Sequence, residues 1–85
     1  MNRILLADDD IELCEMLKEY LDVEGFQVGM AHDGQSALSQ ARTGDYDLVV
    51  LDVMMPQLNG FDVLRQLRTD SLMPVLMLTA RGEDV

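Results

Sequence analysis

Four short apolar runs alternate with segments of helical period along the chain. The runs are "RILLA", "FQVGMA", "DLVVLD" and "PVLMLTA", at residues 3–7, 26–31, 47–52 and 74–80. Each run has the length of a β-strand, and the third has the apolar interior of a central parallel strand that is covered on both faces. The pattern predicts four strands, with a helix between each strand and the next.

The segments between the runs show the spacing of amphipathic helices. In residues 11–24, leucines recur at i, i+4 and i+8, which places them on one face of a helix. Asp10 stands at the N-cap position of this helix and Gly25 at the position of a C-terminal glycine. Residues 32–45 and 60–70 predict two further helices. The residues expected to face inward are Ala37, Leu38 and Ala41 on the second helix, which closes at Gly44, and Phe61, Leu64 and Leu67 on the third.

Strands that alternate with helices predict a parallel sheet with helices on both faces and right-handed crossovers. We therefore expect an α/β fold with an open doubly wound sheet. In the strand order 2-1-3-4, one of two common orders, strands 1 and 3 are neighbours about 4.8 Å apart. The ligand site of such a sheet lies beyond the carboxyl ends of the strands, where the winding direction reverses.

Composition narrows the possible functions. The 85 residues suffice for one small domain at most. Sixteen acidic residues against six basic ones give a net charge of -10, which repels nucleic acid, so we expect this chain itself to bind neither DNA nor RNA. The single cysteine, Cys14, excludes an internal disulfide and is expected to be a small buried residue. Without a secretory signal or a membrane-spanning run, the cytoplasm is the expected location, with no membrane partner.

Three aspartates stand where this topology would bring them together. Asp8 and Asp9 follow strand 1, and Asp52 ends strand 3. Like charges about 4 Å apart repel by about 4 kcal/mol per pair at an effective dielectric near 20, so the cluster needs a raised pKa or a bound cation. Carboxylates, a backbone carbonyl and waters suit Mg²⁺. The carbonyl is expected from Met54, in the loop that follows strand 3.

A carboxylate of this cluster is also a candidate nucleophile towards a phosphoryl donor. We assign that role to Asp52. Thr79 ends the fourth strand on the same rim, from which its hydroxyl can donate to an oxygen of phosphorylated Asp52, with the backbone N–H of Ala80 nearby. Taken singly, the threonine could be an ordinary β-former and the acidic pair a solvated turn. His32 is expected to be a surface loop residue.

Three motifs in this order, "ILLADDD", "DLVVLDVMMPQLNG" and "PVLMLTA", resemble the receiver domain of two-component response regulators. The segments "EGFQV", "AHDG", "DVMMP" and "MLTARG" resemble its OmpR/PhoB branch. The resemblance implies that Asp52 is the phosphoacceptor, that Asp8 and Asp9 hold Mg²⁺ with the Met54 carbonyl, and that Thr79 is the switch hydroxyl. It also implies a sensor histidine kinase as donor, and a signalling module rather than an enzyme.

The sequence departs from the family pattern after the fourth strand. Receiver domains have five β–α units, so we expect residues 1–85 to be the N-terminal part of one such domain, lacking the fifth strand. The phosphoryl-contacting lysine would then be absent, since Lys18 lies in the first helix, and so would the DNA-binding domain of the branch. The uncovered edge of strand 4 predicts self-association. Two alternatives remain: an interaction fragment that cannot be phosphorylated, and a phosphohydrolase, which generally has a second aspartate at the position of Met54.

Overall fold

The computed structural model describes residues 2–78, in which strands and helices alternate as predicted. None of the described helices is long and apolar enough to cross a membrane. The elements in chain order are β1 (Arg3–Ala7), α1 (Ile11–Val23), β2 (Gln27–Ala31), α2 (Gly34–Thr43), β3 (Leu48–Asp52), α3 (Gly60–Leu67) and β4 (Val75–Leu78).

The four strands form one parallel sheet in the order β2-β1-β3-β4. The predicted open doubly wound α/β fold and its strand order 2-1-3-4 are therefore confirmed. In the register of the sheet, Ala7 of β1 lies opposite Ala31 of β2 on one side and Leu51 of β3 on the other. The carboxyl ends of the three strands are thus aligned along one edge, and the residues that follow them begin on the same rim.

The three helices begin at side-chain caps, and glycines lie at the ends of α1 and α2; the cap Asp10 and the glycines Gly25 and Gly44 were predicted. The side chains of Asp10, Asp33 and Asn59 each accept a hydrogen bond from the backbone N–H three residues later, which satisfies a donor that the first helical turn leaves unpaired. Gly25 follows α1 with a φ of 94°, in the left-handed region that glycine adopts without a steric penalty. Helix α2 ends at the predicted Gly44.

The core lies on both faces of the sheet, because successive strand residues point to opposite sides. On the face covered by α1, the buried side chains are Ile4, Leu6 and Cys14, with Leu17 and Leu21 packed against them. Cys14 has no exposed surface, which confirms the prediction of a small buried residue. The buried residues on the face covered by α2 and α3 are Leu5, Ala7, Ala31, Ala37, Leu38, Ala41, Val49, Leu51, Met55, Val63 and Leu67, with Leu64 partly buried beside them.

The inward face of α3 differs from the predicted one. Phe61 is 53% exposed, whereas Val63 and Leu67 are fully buried, so the predicted inward position of Phe61 is wrong. The reason lies at the start of the helix, where Gly60 packs so closely on the main chain that an added Cβ would collide with the carbonyl oxygen of Asp52. Because Gly60 lies against β3, the residues three and seven positions later on the same side of the helix, Val63 and Leu67, also face the sheet.

Strand β4 forms an edge of the described sheet. Its inward side chains, Val75 and Met77, pack against the core formed with α2 and α3. On its other face, Leu76 is 52% exposed and Leu78 is 37% exposed. Within residues 2–78, β4 pairs with β3 only. The edge is therefore apolar and accessible in the described part of the chain.

Candidate functional site

Three carboxylates meet at the carboxyl ends of β1 and β3. Because Ala7 lies opposite Leu51, the next residues in the register are Asp8 and Asp52. One carboxylate oxygen each from Asp8, Asp9 and Asp52 lies within 4.8 Å of the other two. The predicted convergence of these side chains is thus found in the structure. They line a cleft of about 470 Å³, together with Asp10, Leu13, Met54 and Leu78.

The environment of Asp52 disfavours its charged form. The residue is 7% exposed, and burial raises the pKa of its carboxyl group above the ordinary value. The hydrogen bond from the backbone N–H of Met54 to Oδ1, at 3.2 Å, opposes this shift. The nearby charges of Asp8 and Asp9 add to the rise in pKa. A cation in the cleft would remove both the repulsion and part of the cost of burial.

Asp8 is held through both its main chain and its side chain. Its backbone N–H donates to the carbonyl of Ala31 at 3.0 Å, which extends the β1–β2 ladder by one bond. Its carboxylate accepts the backbone N–H of Asp10 at 2.9 Å. Its own carbonyl lies 3.0 Å from Nδ1 of His32 and 3.6 Å from Sγ of Cys14. The carboxylate therefore projects into the cleft from a fixed main chain.

His32 is the residue near this site that sequence reasoning missed. It lies in the loop between β2 and α2, as predicted, but its side chain is half-buried and in hydrogen-bond contact with the carbonyl of Asp8. A signal was available in the sequence, because His32 directly follows strand 2. Once strand 2 is placed beside strand 1, the residues that follow the two strands become neighbours on the rim, as Asp8 and His32 do here.

Cys14 lies beneath the cleft but is not suited to act as a nucleophile. Burial raises the pKa of its thiol to about 11, and the charges of Asp8 and Asp10 contribute to the rise. The thiol is therefore protonated near neutral pH. Its S–H faces the carbonyl of Asp8, so the residue serves as packing and as a weak donor.

The loop after β3 turns sharply beside the cleft. Gln57 has a φ of 68°, and the N–H of Leu58 donates to the carbonyl of Pro56 across it at 2.8 Å, as in a γ-turn. Met54 lines the cleft, and the assignment of its carbonyl as a metal ligand stays a prediction. Thr79 and Ala80, which were predicted to contact a phosphoryl group, lie outside the described residues.

The donor set of the cleft suits a hard divalent cation. Asp8, Asp9 and Asp52 offer only oxygen, and both Asp8 and Asp9 keep contact with solvent, since they are half-buried and exposed respectively. Mg²⁺ binds through one or two carboxylates and retains several waters, so it needs this combination of oxygen ligands and open positions. The residues present therefore fit a magnesium ion.

Comparison with known proteins agrees with the fold and the cleft. The family model for the response regulator receiver domain matches residues 4–85. The chain is 55% identical over its whole length to the transcriptional regulatory protein CpxR of Klebsiella pneumoniae subsp. pneumoniae (strain HS11286), and spans 36% of that protein. It is 49% identical, over 98% of its length, to the DNA-binding response regulator MtrA of Mycobacterium leprae (strain TN), and spans 37% of it. These relatives confirm the predicted resemblance to the OmpR/PhoB branch. The same four segments that indicate the branch also resemble the Cpx envelope-stress regulator within it, which agrees with the similarity to CpxR.

Solved structures with the same fold include complexes with a metal and with a kinase. The response regulator TrrA of Thermotoga maritima, in complex with Mg²⁺-BeF, superposes with a TM-score of 0.90 at 38% identity, over 98% of this chain and 73% of TrrA. TrrA in complex with the histidine kinase ThkA superposes with a TM-score of 0.88 at 38% identity, over 96% of this chain and 72% of TrrA. From its family match and these similarities, the chain belongs to the response regulator receiver domain family.

Proposed function

We propose that this chain accepts a phosphoryl group on Asp52 as the receiver of a two-component system. The observation that supports this most is the approach of three carboxylates to within 4.8 Å at the ends of β1 and β3. Asp52 is the most buried of the three and lies at the centre of the sheet edge, while Asp8 and Asp9 lie in the loop that follows the neighbouring strand β1. A cluster of this kind is unfavourable in a purely structural role, because each carboxylate raises the cost of ionising the others.

Asp8, Asp9 and Asp52 would hold Mg²⁺, with the backbone carbonyl of Met54 as a further ligand. Magnesium, when bound, supplies positive charge beside the carboxylates and the oxygens of an incoming phosphoryl group. The TrrA complex with Mg²⁺-BeF supports this assignment by similarity. Two hydrogen bonds keep the carboxylate of Asp8 in place for this role: its backbone N–H donates to Ala31, and its carboxylate accepts the N–H of Asp10.

The transfer itself would use one oxygen of Asp52. The Oδ1 atom accepts the N–H of Met54, which orients the carboxylate and leaves Oδ2 to attack phosphorus. With phosphohistidine as the donor, a P–O bond forms to Asp52, the P–N bond breaks, and the imidazole leaves with the bonding electrons. We assign Thr79 and the backbone amide of Ala80 to contacts with the phosphoryl oxygens.

The proposed donor is a sensor histidine kinase, as the complex of TrrA with ThkA suggests by similarity. DNA binding would belong to a region of the protein outside these 85 residues, since the relatives are transcriptional and DNA-binding regulators of which the chain covers little more than a third. With its net charge of -10, the chain itself is poorly suited to contact DNA. The proposed location is the cytoplasm, with no membrane partner.

We also propose that the chain self-associates through the edge of β4. The supporting observation is that, within residues 2–78, β4 pairs with β3 only and exposes Leu76 and Leu78. A second copy of the chain offers the same edge, so pairing of two β4 strands would bury both apolar surfaces. Of the two leucines, Leu78 also lines the acidic cleft, whereas Leu76 does not.

A titration with Mg²⁺, followed by beryllofluoride or an acyl phosphate, tests the phosphoacceptor. We expect Mg²⁺-dependent shifts in the amide signals of Asp8, Asp9, Asp52 and Met54, and a mass increase of one phosphoryl group with the acyl phosphate. The variant Asp52→Asn should lose the mass increase. The matched control Asp45→Asn, an exposed aspartate in the loop before β3, should retain it.

Three results would contradict the proposal or replace it. Labelling that persists in Asp52→Asn would place the phosphoryl group on another residue. Continuous release of phosphate over many turnovers would support a phosphohydrolase instead. Amide signals around the cleft that stay unchanged with Mg²⁺ and beryllofluoride would leave an interaction fragment as the better interpretation.

A further inference from the structure

His32 lies beside the acidic cleft without belonging to its set of carboxylates. Its Nδ1 is 3.0 Å from the carbonyl oxygen of Asp8. A carbonyl oxygen can only accept, so Nδ1 carries the hydrogen and donates it. His32 is the residue immediately after β2, and its ring is half-buried. The end of the strand therefore fixes the direction from which Nδ1 approaches the carbonyl.

This contact stands where the ladder between β1 and β2 ends. The last backbone bond of the ladder runs from the N–H of Asp8 to the carbonyl of Ala31. In a continued parallel ladder, the carbonyl of Asp8 would accept a backbone N–H from the β2 chain. The chain instead turns into the N-cap of α2 at Asp33, and the imidazole of His32 supplies the donor.

The carbonyl of Asp8 would be held weakly without that donor. Among residues 2–78, the other group in hydrogen-bond contact with it is Sγ of Cys14 at 3.6 Å, which is a weak donor. The carboxylate of Asp8 is meanwhile repelled by those of Asp9 and Asp52, whose oxygens are within 4.8 Å. A free peptide group could rotate and move the carboxylate away from this repulsion.

We propose that His32 is a positioning residue of the cleft, whose imidazole fixes the main chain of Asp8 and so keeps its carboxylate directed towards Asp9 and Asp52. The inference rests on the proposed Mg²⁺ site, and it adds a residue outside the ligand set that determines the affinity of that site. Partners of metal ligands that lie outside the ligand set have this effect in general, because they reduce the freedom of the group that binds.

A pair of variants of similar shape separates the donor from the bulk of the ring. The variant His32→Asn carries an amide N–H donor at the same distance from the backbone as Nδ1, whereas His32→Leu has a branched apolar group and no donor. We expect His32→Leu to raise the Kd for Mg²⁺ by about 10-fold. His32→Asn should stay within about twofold of the parent chain. The titration follows the amide signals of Asp9, Asp52 and Met54 at one pH.

A second readout works without metal. The N–H of Asp10 donates to the carboxylate of Asp8, so its amide signal reports the orientation of that carboxylate directly. It should move in His32→Leu and keep its parental position in His32→Asn. If the ring served only as packing, both variants would have a lower Tm than the parent chain. The Kd for Mg²⁺ and the Asp10 signal would then be the same in His32→Leu and His32→Asn.

The outcomes distinguish this inference from the proposed function. A parent chain that binds Mg²⁺ together with a His32→Leu variant that binds it equally well would overturn the role of His32 alone. A parent chain without any response to Mg²⁺ would overturn the proposed metal site. In that case an unchanged Asp10 signal in His32→Leu would overturn the positioning role as well, on a measurement that needs no metal.

Discussion

Asp52 is the only buried charged residue in the described part of the chain, at 7% exposure. The carboxylates of Asp8 and Asp9 lie close to it, and the hydrogen bond from the N–H of Met54 compensates for only part of the free-energy cost of burying its charge. We expect Asp52→Asn to increase the free energy of unfolding at pH 7 by about 1–2 kcal/mol, because it removes the charge and keeps an oxygen to accept that N–H. Urea denaturation of the two chains in metal-free buffer measures the difference.

The pH dependence of this difference follows from the direction of the pKa shift. Because the pKa of Asp52 is raised in the folded chain, the folded state holds its proton over a range of pH in which the unfolded state has released it. The contribution of this group to stability is fully present below the unfolded pKa and is lost as the pH rises through the folded pKa. The advantage of Asp52→Asn should therefore vanish in acid, and Mg²⁺ should reduce it at pH 7. An advantage that is constant with pH would contradict this account.

Single residues also show what could be predicted from the sequence. Asp8, Asp9 and Asp52 were predicted to converge because the first two follow strand 1 and the third ends strand 3, and a parallel sheet aligns such residues on one rim. The role of His32 was missed because its partner is the carbonyl of Asp8, and every residue has a carbonyl. The strand ends place His32 next to Asp8, but only the three-dimensional contact shows that the ring meets the carbonyl of Asp8.

At the scale of elements, α3 is joined to the cleft through Gly60. An added Cβ at this position would meet the carbonyl of Asp52 and the main chain of Val53, and main-chain atoms cannot move aside as a flexible side chain can. We expect Gly60→Ala to destabilise the fold by about 2–3 kcal/mol. It should also weaken Mg²⁺ binding several-fold, since the helix must shift away from the residue that forms the cleft.

Gly25 provides the matched control for that prediction. Its φ of 94° is unfavourable for alanine, but an added Cβ there would have no neighbour within 4 Å. We expect Gly25→Ala to cost about 1–2 kcal/mol through the backbone alone and to leave Mg²⁺ binding unchanged. If both glycine variants altered the affinity for Mg²⁺ equally, loss of stability rather than displacement of Asp52 would explain the effect.

The ends of the helices could be predicted from the sequence, whereas the inward face of α3 could not. The ends of α1 were predictable because the cap at Asp10 and the glycine at position 25 act within a few residues. The inward face of α3 was not, because the stripe through Phe61 and the stripe through Val63 both carry apolar residues at helical spacing. The close approach of Gly60 to β3 decided between them, and a contact that distant in sequence leaves no local pattern.

At the scale of the whole molecule, the described sheet has unequal faces. Helices α2 and α3 cover one face. On the other, α1 packs over β1 and β2, while Val50 of β3 stays only partly buried and Leu76 and Leu78 of β4 are exposed. On this face of the described sheet, the strand residues that α1 leaves exposed thus lie along β4. The net charge of -10 on each chain opposes the association of two copies through this apolar surface.

Because charge repulsion opposes the apolar contact between two copies, we expect dimer formation to increase with salt concentration. Raising the salt concentration from about 0.1 M to about 1 M shortens the Debye length from about 10 Å to about 3 Å, so the repulsion between two acidic chains falls while the apolar edges remain. We expect sedimentation velocity to show an increasing share of dimer over this range. The variant Leu76→Lys should stay monomeric although it lowers the net negative charge, because a lysine on an edge strand opposes pairing.

Val23→Lys is the control that gives this test its meaning. Val23 is 84% exposed near the end of α1, a helix that packs against β2 at the opposite edge of the sheet. The substitution changes net charge and exposed apolar surface in the same direction as Leu76→Lys but leaves β4 intact, so the chain should still dimerise. Equal loss of dimer in both variants would show that general hydrophobic contact, and not strand pairing at β4, holds the copies together. A parent chain that stays monomeric at high salt would contradict self-association altogether.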